Sequence, residues 1–305
     1  MKEQKVKKKF VFLGDTDSIN IEVLLKSFSY LKNKVYYIVL CNKKDIEKNR
    51  YYKKNKIVIN EILDPINFTN YKKNKLNVFN IQNISSKKFL NILNQIKLAN
   101  LLANKTRYDL VTMPIDKSLF KKEISFTGMT EYLGTINKKK TIMMMHGEKF
   151  SIIPITTHIN LNNIYKYINY NKINSFLKNL FNNLKKPIYK FNFNHINFLC
   201  YNPHCSENGT IGNEDLIISK IIKKFNKIKG PFPSDSAFIN LKKKNLFIST
   251  YHDQALIPFK ILNKKSLNIT LGLNFRRLSP AHGTAKDIKN KFIADNTSYL
   301  KCLLF

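Results

Sequence analysis

The sequence predicts an α/β fold built on a largely parallel sheet. Short apolar runs typical of buried strands alternate with longer segments whose apolar residues recur at helical spacing. The apolar runs end in polar loops, and nearly all of the nine glycines lie in such loops, where a positive φ or a close backbone approach is needed. Because ligands bind beyond the carboxyl ends of strands in such sheets, a functional site is expected in these loops.

Apolar runs and helical spacing define the elements of the first half of the chain. Residues 9–15 (KFVFLGD) predict a first strand that ends in a turn, and residues 19–32 repeat Ile, Val, Leu and Phe at the spacing of a helix. A second strand is predicted at residues 35–42, and the Lys- and Asn-rich piece after it is predicted to be a loop. Residues 85–104 are amphipathic with serine at their start, which is typical of a helix, and residues 108–117 predict a strand that runs into a polar loop.

The same patterns continue in the second half of the chain. Residues 141–158 predict a pair of strands, TIMMMHG and FSIIPITTH, and residues 161–185 predict a helical segment. Residues 195–204 predict a strand that delivers a loop, residues 215–225 predict another helix, and residues 245–253 predict another strand.

Residues 251–287 are predicted to be rich in loops, and their chemistry is unusually varied. This span holds two of the six histidines, two of the nine glycines and two arginines, whereas Lys, Asn and Ile are the commonest residues of the remaining chain. Catalytic residues usually lie on ordered loops that carry functional groups, so this span is predicted to do chemistry.

Length and composition indicate a cytoplasmic protein. The 305 residues suit one large or two medium domains. No apolar run approaches the ~20 residues that span a bilayer, and the apolar run near the N-terminus is shorter than the ~7–15 residues of a signal-peptide core. The four cysteines have neither disulfide nor zinc-site spacing, which fits a reducing compartment.

The chain is strongly basic, with a formal net charge of +33 that arises from 53 Lys and Arg against 20 Asp and Glu. A nucleic-acid-binding protein is one explanation. A genome biased towards A and T is the other, because its codons favour Lys, Asn and Ile together. The second is favoured, since Lys is spread along the whole chain and no nucleic-acid-binding motif accompanies it. The excess charge would still help to attract an anionic substrate.

Three histidines follow predicted strands, namely His158, His204 and His252. One interpretation is a three-histidine metal site with open positions for substrate and water. The other is three unrelated loop residues, because their wide separation gives no local ligand spacing. His146 and His195 are interpreted as structural or surface residues.

Candidate anion ligands occur in the same kind of loop. Thr130, Lys260, Asn268 and Arg277 combine a hydroxyl, an ammonium, an amide and a planar guanidinium, which suit phosphate and carboxylate groups. His282 could bind a ligand or cap a turn. The chain lacks both the Gly-x-Gly-x-x-Gly dinucleotide fingerprint and a Walker-type phosphate loop, so any nucleotide would have to bind another way.

Several long motifs occur in order along the chain: TMPIDK (112–117), FTGMTEYLG (126–134), TTH (156–158), NPHCSENGTIGNED (202–215), GPFPSDSAF (230–238), YHDQALIPFK (251–260) and NITLGLNFRRLSPAHGTAKDI (268–288). Together they resemble the 4-hydroxythreonine-4-phosphate dehydrogenase family of pyridoxal phosphate biosynthesis, over nearly the whole chain. The resemblance implies a homodimer whose subunit has two α/β domains flanking a cleft, as in isocitrate and isopropylmalate dehydrogenases. The implied domains are residues 1–130 with 268–305, and residues 131–267, which would carry the metal ligands and the dimer interface.

The resemblance also implies a reaction, which needs NAD or NADP and a divalent metal such as Zn, Co or Mg. In this reaction 4-phosphohydroxy-L-threonine is oxidised to 2-amino-3-oxo-4-phosphooxybutanoate, which decarboxylates to 3-amino-2-oxopropyl phosphate. The implied metal ligands are His158, His204 and His252, one of them supplied by the partner subunit. The implied substrate contacts are Thr130, Lys260, Asn268 and Arg277. Asp253 and Asp235 are candidates to orient a metal-bound histidine or to accept a proton, and no cofactor-binding residue is assigned.

The chain departs from the family pattern at three places. Met129 stands where the family usually has a histidine that contacts the substrate phosphate, and a thioether cannot donate a strong hydrogen bond. Residues 14–22 (GDTDSINIE) lose two glycines and both prolines of the usual loop, and Ala281 replaces an aspartate. A sister dehydrogenase that acts on a threonate or erythronate phosphate is therefore kept as an alternative.

Overall fold

The computed structural model describes residues 8–31, 34–120 and 126–305. The chain divides into two compact units, one formed by Met1–Thr127 with Asn274–Phe305 and the other by Gly128–Leu273. In the described ranges, none of the helices combines the length and the apolar character that crossing a bilayer requires.

Strands and helices alternate along most of the described chain. The strands are β1 (Lys8–Phe12), β2 (Tyr36–Cys41), β3 (Ile59–Glu61), β4 (Leu76–Asn80), β5 (Asp109–Thr112), β6 (Ile142–His146), β7 (Phe150–Pro154), β8 (His195–Leu199), β9 (Ile228–Phe232), β10 (Asn245–Ser249), β11 (Leu267–Leu271) and β12 (Arg277–Pro280). The α-helices are α1 (Asn20–Leu31), α2 (Lys43–Glu47), α3 (Arg50–Asn55), α4 (Lys88–Thr106), α5 (Met129–Ile136), α6 (Tyr170–Leu184), α7 (Glu214–Ile222), α8 (His252–Leu262) and α9 (Thr297–Leu304). Short 3₁₀ segments cover Lys117–Phe120, Leu161–Tyr167 and Lys286–Ile288, and Pro203–Gly209 forms a turn segment with non-helical dihedral angles.

The strands of the first unit run parallel in the order β3-β4-β2-β1-β5-β12. Phe10 in β1 pairs with Ile38 in β2 and with Leu110 in β5, and all three side chains are fully buried. A strand that is covered on both faces needs apolar residues at successive positions, so it is encoded by a continuous apolar run. The first strands were predictable from the sequence for this reason.

The strands of the second unit follow the order β11-β6-β7-β10-β8-β9. β6 is antiparallel to both β11 and β7, whereas β7, β10, β8 and β9 are mutually parallel. Because β7, β10 and β8 lie side by side and point the same way, the loops that follow them lie at one edge of the sheet.

The predicted α/β class is confirmed by this architecture, and a parallel sheet describes the first unit better than the second. The predicted strand pair in residues 141–158 corresponds to β6 and β7. The predicted helical segment at residues 161–185 is interrupted, because a 3₁₀ turn precedes α6 and the side chain of Asn169 caps α6 by accepting from the backbone N–H of Lys172.

The predicted loop after residue 42 is wrong, because that piece of chain contains α2, α3, β3 and β4. Two asparagines begin its helices: the side-chain oxygen of Asn42 accepts from the N–H of Lys44, and that of Asn49 accepts from the N–H of Tyr51. An asparagine side chain can accept a hydrogen bond from the N–H groups that have no partner at a helix start. The asparagines that suggest a loop in the sequence therefore serve here as helix caps.

The loop-rich prediction for residues 251–287 is also wrong for most of the span. It contains the eleven-residue helix α8, with Pro258 inside it, and the strands β11 and β12. The predicted domain boundaries at residues 130 and 267 stay a prediction. In the structure, residues 128–130 and 268–273 group with the second unit, since α5 begins at Met129 and β11 pairs with β6.

A buried ion-pair cluster connects distant parts of the first unit. Lys9 is 0% exposed, and its Nζ lies 2.9 Å from Asp109 Oδ2 and donates to the carbonyl of Cys302 at 3.2 Å. Arg276 Nε donates to Asp109 Oδ1 at 3.0 Å, and its guanidinium lies 5.0 Å from the ring centroid of Phe305. Burial opposes ionisation of the Asp109 carboxyl, but the two cations outweigh it and lower the pKa below its ordinary value of 3.8. Arg276 therefore helps to stabilise the first unit by pairing with Asp109.

Candidate active site

Two of the three candidate metal histidines are brought together beyond the carboxyl ends of β7 and β10 in the second unit. β7 and β10 are parallel neighbours, and the backbone pairing continues past them, with the N–H of Ile155 donating to the carbonyl of Ser249 at 2.8 Å. The loop that ends in His158 therefore runs beside the start of α8, where His252 is the first residue. The ring centroids of His158 and His252 are 5.7 Å apart.

A carboxylate accompanies each of these two rings. His252 Nδ1 lies 2.7 Å from Asp253 Oδ1, and His158 Nδ1 lies 3.3 Å from Glu131 Oε1. A carboxylate at Nδ1 selects the tautomer with its proton on Nδ1, so that Nε2 carries the lone pair. This is the arrangement of carboxylate and imidazole that holds metal-binding histidines in proteins, so the donor set fits a divalent metal.

Glu131 is strongly acidic in this environment. Its partial burial opposes ionisation, but hydrogen bonds from His158 and Thr157 outweigh that effect and lower the pKa to about 2. The carboxylate is therefore charged at neutral pH. Sequence reasoning missed Glu131, and the only signal was an acidic residue in the first turn of a helix, which is also what ordinary helix capping requires.

His204 lies one strand further along the same edge, in the segment that follows β8. His204, Cys205, Ser206, Glu207 and Asn208 all have φ between 41° and 65°. Left-handed backbone costs a non-glycine residue roughly 1–3 kcal/mol, so such a run persists only when the surrounding structure holds it.

Asp215 holds this left-handed segment. Its buried carboxylate accepts from the backbone N–H groups of Tyr201 and Asn202, at 2.6 and 2.9 Å, and from Ser206 Oγ at 2.7 Å. The side-chain amide of Asn202 adds hydrogen bonds to Ser206 Oγ and Glu214 Oε2, at 3.0 and 2.8 Å. The position of His204 therefore depends on a carboxylate in the first turn of α7.

We expect Asp215→Asn to destabilise the second unit by roughly 2–3 kcal/mol, because an amide donor then faces groups that are themselves donors. The measurement is the midpoint of urea unfolding at an unchanged slope. The matched control is Glu214→Gln, since Glu214 is the neighbour of Asp215 in α7, is partly exposed and accepts from the side chain of Asn202. A midpoint for Asp215→Asn as high as that of the control would contradict the expectation.

A cavity of about 380 Å³ opens beside His204, lined among others by Asp235, Tyr251 and Gln254. The two aspartates predicted to be functional therefore occupy different places, because Asp253 pairs with His252 whereas Asp235 lines the cavity beside His204. Among the described residues of a single chain, no group of three His, Cys, Asp or Glu side chains is arranged to hold a metal ion. His204 is thus not part of the cluster formed by His158 and His252.

Two of the predicted substrate contacts lie on the same side of β11. Asn268 belongs to the strand, and Thr130 of α5 contacts Thr270 of the strand. Thr130 is buried in the first turn of α5, and its Oγ1 lies 3.1 Å from Thr270 Oγ1. Asn268 precedes Thr270 by two residues in the same strand, so both side chains point to the same side. Among the residues that the structure describes, the buried Asn268 Oδ1 atom has no hydrogen-bond partner. A buried acceptor of this kind suits a ligand that brings a donor.

The other predicted contacts belong to other elements of the chain. Lys260 is exposed in α8, and Met129 is the half-buried first residue of α5. Arg277 belongs to the first unit, where it is buried at the start of β12 and its Nε donates to Thr112 Oγ1 at 2.8 Å. His282 Nδ1 lies 2.9 Å from the carbonyl of Gly283, a contact within its own turn.

The turn after β1 is closed by its own side chains. Asn20 Nδ2 donates to the carbonyls of Asp15 and Pro114, at 3.1 and 2.8 Å, and Asp15 is fully buried. Gly14 has φ +73°, and a Cβ there would collide with the carbonyl oxygen of Pro114. The side-chain hydrogen bonds order a loop that lacks most of the expected glycines. Both carboxylates of this turn are paired with lysines, Asp15 with Lys88 and Asp17 with Lys289.

Comparison with known proteins gives one consistent result. Residues 22–305 match the family described as "Pyridoxal phosphate biosynthetic protein PdxA". The chain is 33% identical over 310 residues to the 4-hydroxythreonine-4-phosphate dehydrogenase of Sulfurihydrogenibium sp. (strain YO3AOP1), an alignment that covers 96% of this chain and 95% of that protein. It is also 33% identical to the enzyme of the same name from Aquifex aeolicus (strain VF5), over 97% of this chain and 96% of that one.

The fold agrees with a solved structure. The crystal structure of 4-hydroxythreonine-4-phosphate dehydrogenase from Klebsiella pneumoniae superimposes with a TM-score of 0.80, at 24% identity and 97% coverage of both chains. At that identity the likeness supports the fold alone.

Proposed function

The chain belongs to the pyridoxal phosphate biosynthetic protein PdxA family, and from this premise we propose that it is an NAD- or NADP-dependent 4-hydroxythreonine-4-phosphate dehydrogenase that also needs a divalent metal. The observation that carries the proposal is the pair of histidines, His158 and His252, each with a carboxylate at Nδ1. The proposed reaction oxidises the alcohol of 4-phosphohydroxy-L-threonine to a ketone. The product, 2-amino-3-oxo-4-phosphooxybutanoate, then loses carbon dioxide to give 3-amino-2-oxopropyl phosphate.

The metal ligands of this proposal are His158 and His252 of one subunit and His204 of a second copy. A divalent cation bound there would supply a Lewis acid for the substrate alcohol. Three imidazoles suit Zn²⁺ or Co²⁺ better than Mg²⁺, which prefers oxygen ligands. A nicotinamide cofactor would supply the hydride acceptor, and no residue of the chain is assigned to it.

The chain's own residues would bind and orient the substrate. Thr130 and Asn268 share a face of β11, and the unpartnered Asn268 Oδ1 would accept a hydrogen bond from the substrate. Lys260 and Arg277 would neutralise the phosphate and carboxylate groups. Holding both anionic ends fixes the alcohol carbon relative to the cofactor, which lowers the entropic part of the barrier.

The two aspartates would have different roles. Asp253 contacts His252 at 2.7 Å, so it would orient that ring. Asp235 lines the cavity beside His204, where a carboxylate could accept the proton of the alcohol. In this proposal the second copy supplies both Asp235, as the proton acceptor, and His204.

A homodimer is proposed for two reasons. The first is that His204 is not part of the cluster formed by His158 and His252, so one chain leaves the three-histidine site incomplete. The second is an exposed apolar patch on the second unit, where Ile257 and Ile261 on successive turns of α8 are 60% and 71% exposed. Apolar side chains exposed on one helix face suit an interface with another copy.

The function is tested by NADH or NADPH formation from 4-phosphohydroxy-L-threonine by the dialysed protein, with and without added Zn²⁺, Co²⁺ or Mg²⁺. We expect turnover that depends on the metal. The erythronate and threonate phosphates are assayed in parallel, because Met129 removes a hydrogen-bond donor from the proposed phosphate contact. Faster turnover of one of these phosphates would favour the sister dehydrogenase, and an inactive protein on all of them would refute the proposal.

We expect Met129→His to raise kcat/KM for 4-phosphohydroxy-L-threonine by roughly tenfold or more, since a hydrogen bond to a charged group contributes about 1.5–3 kcal/mol. The gain should appear mainly for phosphorylated substrates. Leu161→His is the matched control, because Leu161 is exposed elsewhere in the second unit and gains the same side chain. An equal change in both variants, or none in either, would show that residue 129 does not contact the phosphate.

A further inference from the structure

We infer that Glu131 is the positioning residue for His158, holding the loop and the ring so that Nε2 faces the metal. This inference rests on the proposed function, because it assigns to His158 the role of a metal ligand. It concerns a carboxylate that lies in the first turn of α5, far from His158 in sequence.

One oxygen of Glu131 contacts two successive residues of the histidine loop. Oε1 accepts from Thr157 Oγ1 at 2.8 Å and lies 3.3 Å from His158 Nδ1. The contact with Thr157 restrains the loop, and the contact with His158 restrains rotation of the ring. A single atom therefore restrains both the place and the direction of the imidazole, which is what a metal ligand needs.

The space for this contact is created by Gly128. A Cβ on Gly128 would collide with Glu131 Oε2 and would lie 2.9 Å from His158 Cε1. The backbone of Gly128 is extended, with φ −174°, so the absence of a side chain matters here for close packing rather than for conformation. The start of α5 can approach the histidine closely because residue 128 has no side chain.

Glu131 is better shielded from water than Asp253 is, although its contact with the ring is longer, at 3.3 Å against 2.7 Å. The Glu131 side chain is one-third exposed and its Oε2 atom is buried, whereas the Asp253 side chain is 65% exposed. A contact that water screens and competes for restrains a ring less than one within the protein. Loss of Glu131 is therefore expected to matter more than loss of Asp253.

A purely structural role for Glu131 is the competing explanation, because a carboxylate in the first turn stabilises a helix start. Glu131→Gln separates the two roles. Glutamine keeps the length and a carbonyl that can accept from Thr157, but it removes the charge that holds the protonated Nδ1.

The experiment titrates the dialysed full-length protein with Co²⁺ alone and follows both the visible absorption of the bound ion and the dissociation constant. Four proteins are compared: wild type, Glu131→Gln, His158→Ala and Glu148→Gln. Glu148 is exposed elsewhere in the second unit and controls for the loss of one negative charge. Thr157→Val is a fifth protein, which keeps the carboxylate and removes the hydrogen bond that it accepts from Thr157 Oγ1.

For Glu131→Gln we expect Co²⁺ binding about 10–100-fold weaker than wild type and a changed absorption band, with the thermal midpoint nearly unchanged. Glu148→Gln should bind as wild type does, and Thr157→Val should be intermediate. With turnover assayed at saturating Co²⁺, Glu131→Gln should lower kcat more than it raises KM for the substrate.

Three results would overturn one claim or both. If His158→Ala loses Co²⁺ while Glu131→Gln and Thr157→Val keep the wild-type affinity and spectrum, the role of Glu131 is wrong and the metal site stands. If Glu131→Gln lowers the thermal midpoint without changing the spectrum, the residue only caps α5. If His158→Ala binds Co²⁺ as wild type does, the proposed metal site itself fails. Should Glu131→Gln not fold, wild-type Co²⁺ binding by Thr157→Val would by itself refute the positioning role.

Discussion

An equimolar mixture of His204→Ala and His252→Ala subunits is expected to recover about a quarter of the wild-type activity. Random pairing in a twofold dimer makes half of the dimers mixed, and each mixed dimer has one intact site of two. Each variant alone is expected to lose about a thousandfold in kcat/KM, since the loss of the Lewis acid costs several kcal/mol. The reason lies in the second unit, where His252 contacts the loop of His158 but forms no metal cluster with His204.

The measurement is NADH formation after the two variants are unfolded together and refolded, or co-expressed and purified through two different tags. The control is a mixture of His158→Ala and His252→Ala, which should recover nothing because both histidines belong to the same half of the site. Recovery in the control, or no recovery in the first mixture despite mixed dimers, would contradict a site shared in this way.

Asp109→Asn is expected to destabilise the first unit by about 3 kcal/mol or more, because it leaves Lys9 buried and charged without its carboxylate. In a unit of this size that corresponds to a thermal midpoint lower by roughly 10 °C. The matched control is Glu61→Gln, which breaks the exposed pair with Lys43 and should cost less than about 1 kcal/mol. Equal losses in the two variants would contradict the importance of the buried cluster.

The same cluster predicts a dependence of stability on pH. The pKa of Asp109 is lower in the folded protein than its ordinary value of 3.8. A carboxyl with a depressed pKa contributes stability that is present above 3.8 and is lost as the pH falls through the folded value. Urea unfolding followed from pH 5 to below 3.8 should show this loss in wild type, and a smaller loss in Asp109→Asn.

The sequence predicted best what depends on local pattern. Continuous apolar runs gave β1 and β2, and helical spacing gave α1 and α4, because burial on both faces of a sheet and on one face of a helix leaves a direct pattern of residues. The histidines were recognised as candidates because each follows a strand. That position reflects the parallel arrangement of β7, β10 and β8, which places their ends at one edge.

Contacts between residues distant in sequence could not be predicted. The pairing of Glu131 with His158 depends on how α5 packs against a loop, and an acidic residue in the first turn of a helix is expected for capping alone. The contact of Arg276 with Asp109 likewise bridges 167 residues. The left-handed run from His204 to Asn208 consists of five non-glycine residues, which no local pattern predicts, and Asp215 holds the backbone there.

The discontinuity of the first unit has a consequence for synthesis on the ribosome. Residues 274–305 supply β12, α9 and Arg276 to the first unit, yet they are translated only after the whole of residues 128–273. The second unit is continuous, so all of its strands have been made while the first unit still lacks β12 and one of the two cations beside Asp109. Domains fold as units during synthesis once their residues are available. The nascent chain can therefore complete its second unit before its first, in the reverse of the order in which the two begin.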